Sequence, residues 1–173
     1  MAVCEALKTT TIEEDTVTVS WTSISNTYQW LEIIGYAKGA TASTLTNMYL
    51  QLNGDTASNY SYKNIETFNA SWSIGQWGLT DRLKYYIPGK LWGQQCGTVH
   101  IYIPQNPASQ SHAKSIHART GYVRASGSGT YENYAMFTNG YWSGTGDITQ
   151  IDLKCDNGFV SGTQFTLIGW KDS

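Results

Sequence analysis

The segment of residues 48–62 constrains the fold more than any other part of the sequence. Met48, Leu50 and Leu52 occupy alternate positions, which places their side chains on one face of a β-strand. Asn53-Gly54-Asp55 follows directly and is typical of a tight turn, because Asn and Gly tolerate positive φ and Asp can bond its own backbone. Aromatic and polar residues alternate again after it. The segment therefore predicts a strand, a turn and a second strand.

The sequence leaves two interpretations of the Asn53-Gly54-Asp55 turn. In one, the three residues serve backbone geometry alone. In the other, the Asp55 carboxylate and the Asn53 amide belong to a ligand or metal site. A Ca²⁺ ion takes about six to eight oxygen ligands, and one carboxylate with amide neighbours supplies too few. We therefore predict a structural turn without a metal.

The period of two recurs along the chain and defines the fold class. Val99, Ile101 and Ile103 alternate with polar or aromatic residues, and residues 28–36 are apolar on both faces, as in a central strand. Turn signals separate roughly eight to ten such segments, and none has the helical period. The pattern predicts an all-β fold with one antiparallel sandwich or barrel, but it does not distinguish a jelly roll from an immunoglobulin-like sandwich.

Some regions have weaker patterns. Residues 1–14 are polar and predict an N-terminal arm or edge strand, followed by one β domain over residues 15–173. Residues 63–90 place aromatic residues among Ser, Asn and Gly, and we expect irregular loops with one or two short strands there. Asn139-Gly140 and Asp156-Asn157-Gly158 are turn signals.

Composition and charge exclude several functional classes. Only 14% of the residues are charged, against roughly 25% in ordinary soluble domains. The net charge is −2 and the basic residues are scattered, so nothing favours binding to nucleic acid. No stretch reaches the apolar length of a membrane span. The N-terminus lacks the pattern of a signal peptide, and we expect assembly in the cytoplasm.

No residue pattern marks a catalytic or metal centre. Cys4, Cys96 and Cys155 fit no zinc spacing, and their odd number argues against a complete disulfide framework, so we predict free thiols. His100 and His117 occupy outward positions of predicted strands, which suits surface histidines better than metal ligands. The chain has no nucleophile elbow and no phosphate-binding glycine motif. We predict a protein that is not an enzyme and has no cofactor.

Aromatic residues beside Gly and Ser in predicted loops allow two interpretations. They either close the core between the sheets, or they form a contact surface that stacks on sugars or anchors a protein interface. The candidates are Trp72, Trp77, Trp92, Tyr141 and Trp142.

Several segments resemble a family of tailed-bacteriophage virion proteins, which includes head decoration (cement) proteins and parts of tail fibres. The similar segments are Thr22-Ser23-Ile24, Tyr28-x-Trp30-Leu31-Glu32-Ile33, Leu50-x-Leu52-Asn53-Gly54-Asp55-Thr56-x-Ser58-Asn59-Tyr60-Ser61-Tyr62 and Phe159-Val160-Ser161-Gly162-Thr163-Gln164-Phe165-Thr166-Leu167-Ile168-Gly169. The resemblance covers nearly the whole chain apart from residues 63–95. It implies an antiparallel β-sandwich of jelly-roll type, a homotrimer and no catalysis.

The resemblance and the size of the chain lead to a functional hypothesis. The chain has no repeats and no long shaft, unlike most fibres. We expect a capsid decoration protein that binds the outer head shell and bridges neighbouring subunits of the major capsid protein in the virion. Residues 1–14 would reach a neighbouring subunit, and the aromatic loops would add contacts. The alternative is a carbohydrate-binding module of a tail fibre or spike that recognises a host surface glycan. A glycan-degrading enzyme is disfavoured because no acid pair is placed.

Overall fold

A computed structural model of the protein describes residues 2–90, 95–105, 112–125 and 131–172, and it contains twelve β-strands and no helix within them. In chain order the strands are β1 (Ala2–Thr11), β2 (Thr16–Thr22), β3 (Trp30–Ala37), β4 (Leu45–Leu52), β5 (Tyr60–Phe68), β6 (Ser71–Thr80), β7 (Leu83–Pro88), β8 (Gly97–Pro104), β9 (Lys114–Ala125), β10 (Tyr131–Trp142), β11 (Gln150–Phe159) and β12 (Gln164–Asp172). The all-β prediction is confirmed.

The strands form a large sheet and a small sheet that pack face to face. The large sheet has eight strands in the order β1-β12-β3-β8-β9-β10-β5-β6, and the small sheet has four in the order β2-β11-β4-β7. All strand neighbours are antiparallel. β7 lies against β9, β10 and β5. The antiparallel sandwich predicted from the sequence is therefore confirmed.

The core lies between the two sheets and consists of the inward residues of each strand. Leu31 and Ile101 of the large sheet are fully buried in one cluster with Leu50 and Leu153 of the small sheet. Burying one such side chain contributes about 1.5–3 kcal/mol. In the large sheet, the alternate positions of the strands lie on the outer face, which no other layer covers in the described part of the chain.

The N-terminal residues form an edge strand of the large sheet. Ala2–Thr11 pairs with β12, with a bulge between Ala6 and Lys8. Of the two interpretations of residues 1–14, the structure shows the edge strand for the residues that β1 contains. The backbone of these residues is already paired within its own sheet, whereas the other interpretation was an arm that becomes ordered only on a partner.

Residues 63–90 are more regular than the sequence predicts. They contain most of β5 and all of β6 and β7, instead of irregular loops with one or two short strands. Both faces of β6 are largely exposed. A strand without a buried side has no alternation of apolar and polar residues. The sequence of β6 therefore does not indicate a strand.

The two predicted turns at Asn139-Gly140 and Asp156-Asn157-Gly158 are wrong as chain reversals. Asn139-Gly140 continues β10, and a Cβ added at Gly140 would lie 2.6 Å from a methyl carbon of Leu83. This glycine therefore serves close packing between the sheets. Asp156-Asn157-Gly158 lies within β11 at a shift of register, where Asn157 and Gly158 have φ of 58° and 91°.

None of the described elements is a helix that is long and apolar enough to cross a membrane.

Candidate functional site

The Asn53-Gly54-Asp55 turn follows β4 on the way to β5, and it lies beside the start of β11. Asn53 and Gly54 have φ of 53° and 64°, and the Asp55 N–H donates to the Leu52 carbonyl at 2.9 Å. Two central residues at positive φ are characteristic of a type I′ turn. The Asn53 side-chain oxygen accepts hydrogen bonds from the N–H groups of Thr149 and Gln150 at 2.8 and 3.1 Å. The side chain of Asn53 therefore joins two segments that are distant in sequence.

The Asp55 carboxylate is occupied by hydrogen bonds from the protein itself. Oδ2 accepts from Trp142 Nε1 at 2.7 Å and from Asn59 Nδ2 at 2.9 Å, and Oδ1 accepts from the Ala57 N–H at 2.9 Å. Partial burial raises the pKa of Asp55, but the hydrogen bonds from Trp142, Asn59 and Ala57 outweigh it and hold the pKa below its ordinary value. This geometry favours the structural interpretation of the turn. The described residues include no group of three or more His, Cys, Asp or Glu that could hold a metal ion.

Of the two interpretations of Trp142, a core residue or a contact residue, the structure favours the core residue. Its side chain is only 4% exposed and stacks on Tyr60, with the ring centroids 6.4 Å apart. Trp77 is only partly exposed, because its ring stacks on that of Tyr62 with the centroids 5.0 Å apart. Trp142 therefore belongs to the core, and Trp77 covers the end of the core beside β6.

The remaining aromatic candidates differ in exposure. Trp72 lies on β6, not in a loop, and is 72% exposed. Tyr141 lies near the end of β10 and is about half exposed on the outer face of the large sheet. Trp92 lies outside the described residues. Trp72 and Tyr141 are therefore accessible to a partner, as the contact interpretation requires.

An apolar patch covers the β6 end of the outer face. Phe137 lies opposite Ile65 and Ile65 lies opposite Ile74, so the three side chains form a row across β10, β5 and β6. Trp72 lies two residues from Ile74 on the same face. We call Ile65, Trp72 and Ile74 the apolar patch, with Phe137 at its border. Contiguous exposed apolar side chains of this kind mark interaction sites.

β6 is also a free edge of the large sheet. It is the last strand in the order, so one side of its backbone has no strand partner among the described residues. Residues 71–80 contain no charged residue and no proline, two of the features that commonly protect edge strands. Leu79 has a φ of 53° and is 81% exposed, a strained conformation for a bulky residue. β6 is therefore open to pairing and contact.

A hydrogen-bonded polar network occupies the centre of the same face. Glu32 Oε1 and His100 Nε2 are 2.5 Å apart, and Trp170 Nε1 donates to Glu32 Oε2 at 2.9 Å. Arg119 Nη2 donates to His100 Nδ1 at 2.8 Å. Because a guanidinium group only donates, Nδ1 is the acceptor, and the His100 Nε2–H donates to Glu32. The network fixes these side chains across β12, β3, β8 and β9.

An open groove lies beside this network, with a volume of about 350 Å³. His117 Nδ1 lies 2.7 Å from Asn139 Oδ1 at one side of the groove. Register places Tyr102 opposite His117 on neighbouring strands, and Arg119 opposite Phe137. The side chains that define it are His100, Tyr102, His117, Arg119, Phe137 and Asn139.

The sequence predicts outward positions for the two histidines, but it does not predict that they lie in one groove with Arg119 and Asn139. His100 and His117 do face outward, whereas Arg119 and Asn139 had no signal of their own. Their proximity depends on the register between β8, β9 and β10, which local sequence does not fix. The apolar patch did leave a signal, because residues 67–80 form a long window without charge that contains two tryptophans.

A comparison of the chain with family models, with curated proteins and with solved structures gives no significant match.

Proposed function

We propose that the protein is a structural component of a bacteriophage virion that docks onto other protein subunits through the apolar patch and β6. The observation that carries the proposal is the exposure of Trp72 and Ile74, at 72% and 59%, on an uncharged free strand. Burying an apolar side chain of this size contributes about 1.5–3 kcal/mol. Covering the patch with a partner therefore adds a favourable free energy of burial to binding.

The strand order supports the jelly-roll part of the proposal. In a jelly roll of eight strands, one sheet holds the first, eighth, third and sixth strands, and the other holds the second, seventh, fourth and fifth. The small sheet, β2-β11-β4-β7, matches the sheet of the first, eighth, third and sixth strands. In the large sheet β3, β5 and β6 take the corresponding places, and the β8-β9-β10 meander stands where the seventh strand would be. β1 and β12 extend this sheet beyond β3.

The proposed partner is the major capsid protein, and the proposed role is capsid decoration. Decoration adds contact area across subunit boundaries and needs no catalytic chemistry. Contacts that are weak singly become strong when one assembly engages several neighbours at once. A homotrimer would match a local threefold position of an icosahedral shell and would present the patch three times. An uncharged patch suits this role because it needs no ionic partner on the capsid.

Matched substitutions on the two sheets test the docking proposal. Ile74→Ser removes an apolar side chain from the patch, and Val17→Ser removes one of equal exposure, 59%, from β2 of the small sheet. We expect Ile74→Ser to weaken binding to undecorated capsids and to reduce the heat stability of the decorated particles, while Val17→Ser behaves like the wild type. Equal capsid binding by wild type and Ile74→Ser, or no binding by the wild type, would overturn the proposal.

A further inference from the structure

We propose that the groove on β8, β9 and β10 binds a carboxylated sugar residue of an acidic glycan. The groove is centred away from the β6 edge that carries the docking proposal, so this inference goes beyond that function and does not depend on it. Three features of the groove support it: a fixed cation, an accessible aromatic ring and several hydrogen-bonding groups within reach of one sugar ring.

Arg119 supplies the cation. Its hydrogen bond to His100 is the contact that the structure gives the guanidinium group within the described residues, and it involves only Nη2. A guanidinium has five N–H donors, so the group retains donors for a carboxylate, which it can bind in a forked, two-bond geometry. Lys63 lies opposite Asn139 on β5 and is exposed, so a second positive charge lies one strand beyond the groove. Both charges favour an anionic ligand.

Phe137 supplies the aromatic surface. The ring is 51% exposed and lies on the strand position directly opposite Arg119. Side chains at opposite positions of antiparallel strands are about 4.5–5.5 Å apart at Cβ. A sugar ring can therefore place its C–H face on Phe137 while its carboxylate meets Arg119. Tyr102 and Asn139 line the same groove and carry groups that can bond sugar hydroxyls.

The polar network prepares the groove for a ligand. Glu32 accepts from His100 with one oxygen and from Trp170 with the other, so both oxygens of this carboxylate are engaged. His100 in turn holds Arg119. Side chains that are fixed before binding lose little entropy when the ligand arrives.

Titration with a defined glycan tests this inference. An oligosaccharide of glucuronic acid is the probe, and its carboxyl-reduced counterpart is the ligand control; calorimetry measures binding to the full chain. We expect the acidic probe to bind, the reduced one to bind at least about tenfold more weakly, and Arg119→Lys to lose a similar factor because it keeps the charge but not the forked geometry. Arg82→Lys, the same change at a pair with Asp81 on another surface, should bind as the wild type does.

The outcomes separate this inference from the docking proposal. Ile74→Ser should bind the acidic oligosaccharide normally, even where it fails to bind capsids. Absence of binding by the wild type overturns the inference, as does equal affinity for the two probes or an unaffected Arg119→Lys variant. Circular dichroism that matches the wild type shows that a loss in Arg119→Lys does not come from unfolding.

Discussion

Trp142 Nε1 donates a hydrogen bond of 2.7 Å to Oδ2 of Asp55, which ties the end of β10 to the turn that follows β4. The donor is on a buried indole ring and the acceptor is a charged carboxylate. Hydrogen bonds to charged groups are stronger than those between neutral groups. This contact joins the large sheet to the chain that leaves the small sheet, so the turn has a role in stability that its backbone shape alone does not give.

Removing the Asp55 carboxylate should destabilise the fold. Asp55→Ala leaves the Trp142 N–H buried without its acceptor, which costs about 1–3 kcal/mol. Urea unfolding should show this loss for Asp55→Ala but not for Asp15→Ala, which removes an exposed carboxylate from the loop between β1 and β2. Equal stability of Asp55→Ala and Asp15→Ala would contradict the role assigned to the hydrogen bond.

The contribution of Asp55 should depend on pH. Its pKa is lowered in the folded state, because the hydrogen bonds outweigh the partial burial that would raise it. The stabilisation is therefore present above the unfolded pKa of about 3.9 and is lost as the pH falls through the lower folded value. The difference in stability between wild type and Asp55→Asn should shrink below about pH 4. A difference that stays constant through the acid range would show that ionisation of Asp55 has no part in it.

Gly54→Val should destabilise the turn through backbone strain. Gly54 has a φ of 64°, and a Cβ added there would meet nothing within 4 Å. Gly146 provides the matched control, since its Cβ position is equally open and its φ lies outside the left-handed range. We expect a lower melting temperature for Gly54→Val, corresponding to about one to a few kcal/mol, and little change for Gly146→Val. Similar melting temperatures for the two variants would contradict backbone strain as the cause.

The strands that the sequence predicts correctly are those with one face buried in the core. Leu50 and Ile101 lie in strands with one side in the core, and their alternation revealed those strands. Trp72 and Ile74 lie in a strand without a buried side, so period two was absent and β6 was missed. Trp142 looked like a loop aromatic because its burial depends on contacts with Tyr60 and Asp55, which are far away in sequence.

Register explains what sequence could not predict about the groove. Arg119 meets His100 because β9 pairs with β8 in one particular alignment. A shift of β9 by one residue would turn Arg119 to the opposite face of the sheet, away from His100. The core residues fix the alignment of β8 and β9 collectively, and no single residue near Arg119 indicates it in the sequence. The turn at Asn53-Gly54-Asp55 was predictable, by contrast, because its chemistry is local.

The three cysteines should differ in reactivity. Cys4 and Cys96 are exposed free thiols, whereas Cys155 is buried and its pKa is raised to about 12 by burial and by the nearby Asp156. The thiolate is the reactive form, so Cys155 should not react in the native protein. Titration with a coloured thiol reagent should detect two groups at once and the third only in denaturant. Rapid reaction of all three thiols would contradict this arrangement.

Hydrogen exchange on the capsid-bound protein tests the docking proposal most directly. The free edge of β6 leaves backbone N–H groups without a strand partner, and a partner that covers the patch should slow their exchange. Mass spectrometry with and without undecorated capsids should show new protection in the peptide of residues 71–80. The peptide of residues 97–104 should change little, since β8 is central in the sheet. Capsid binding without any new protection at residues 71–80 would contradict docking through β6 and the apolar patch.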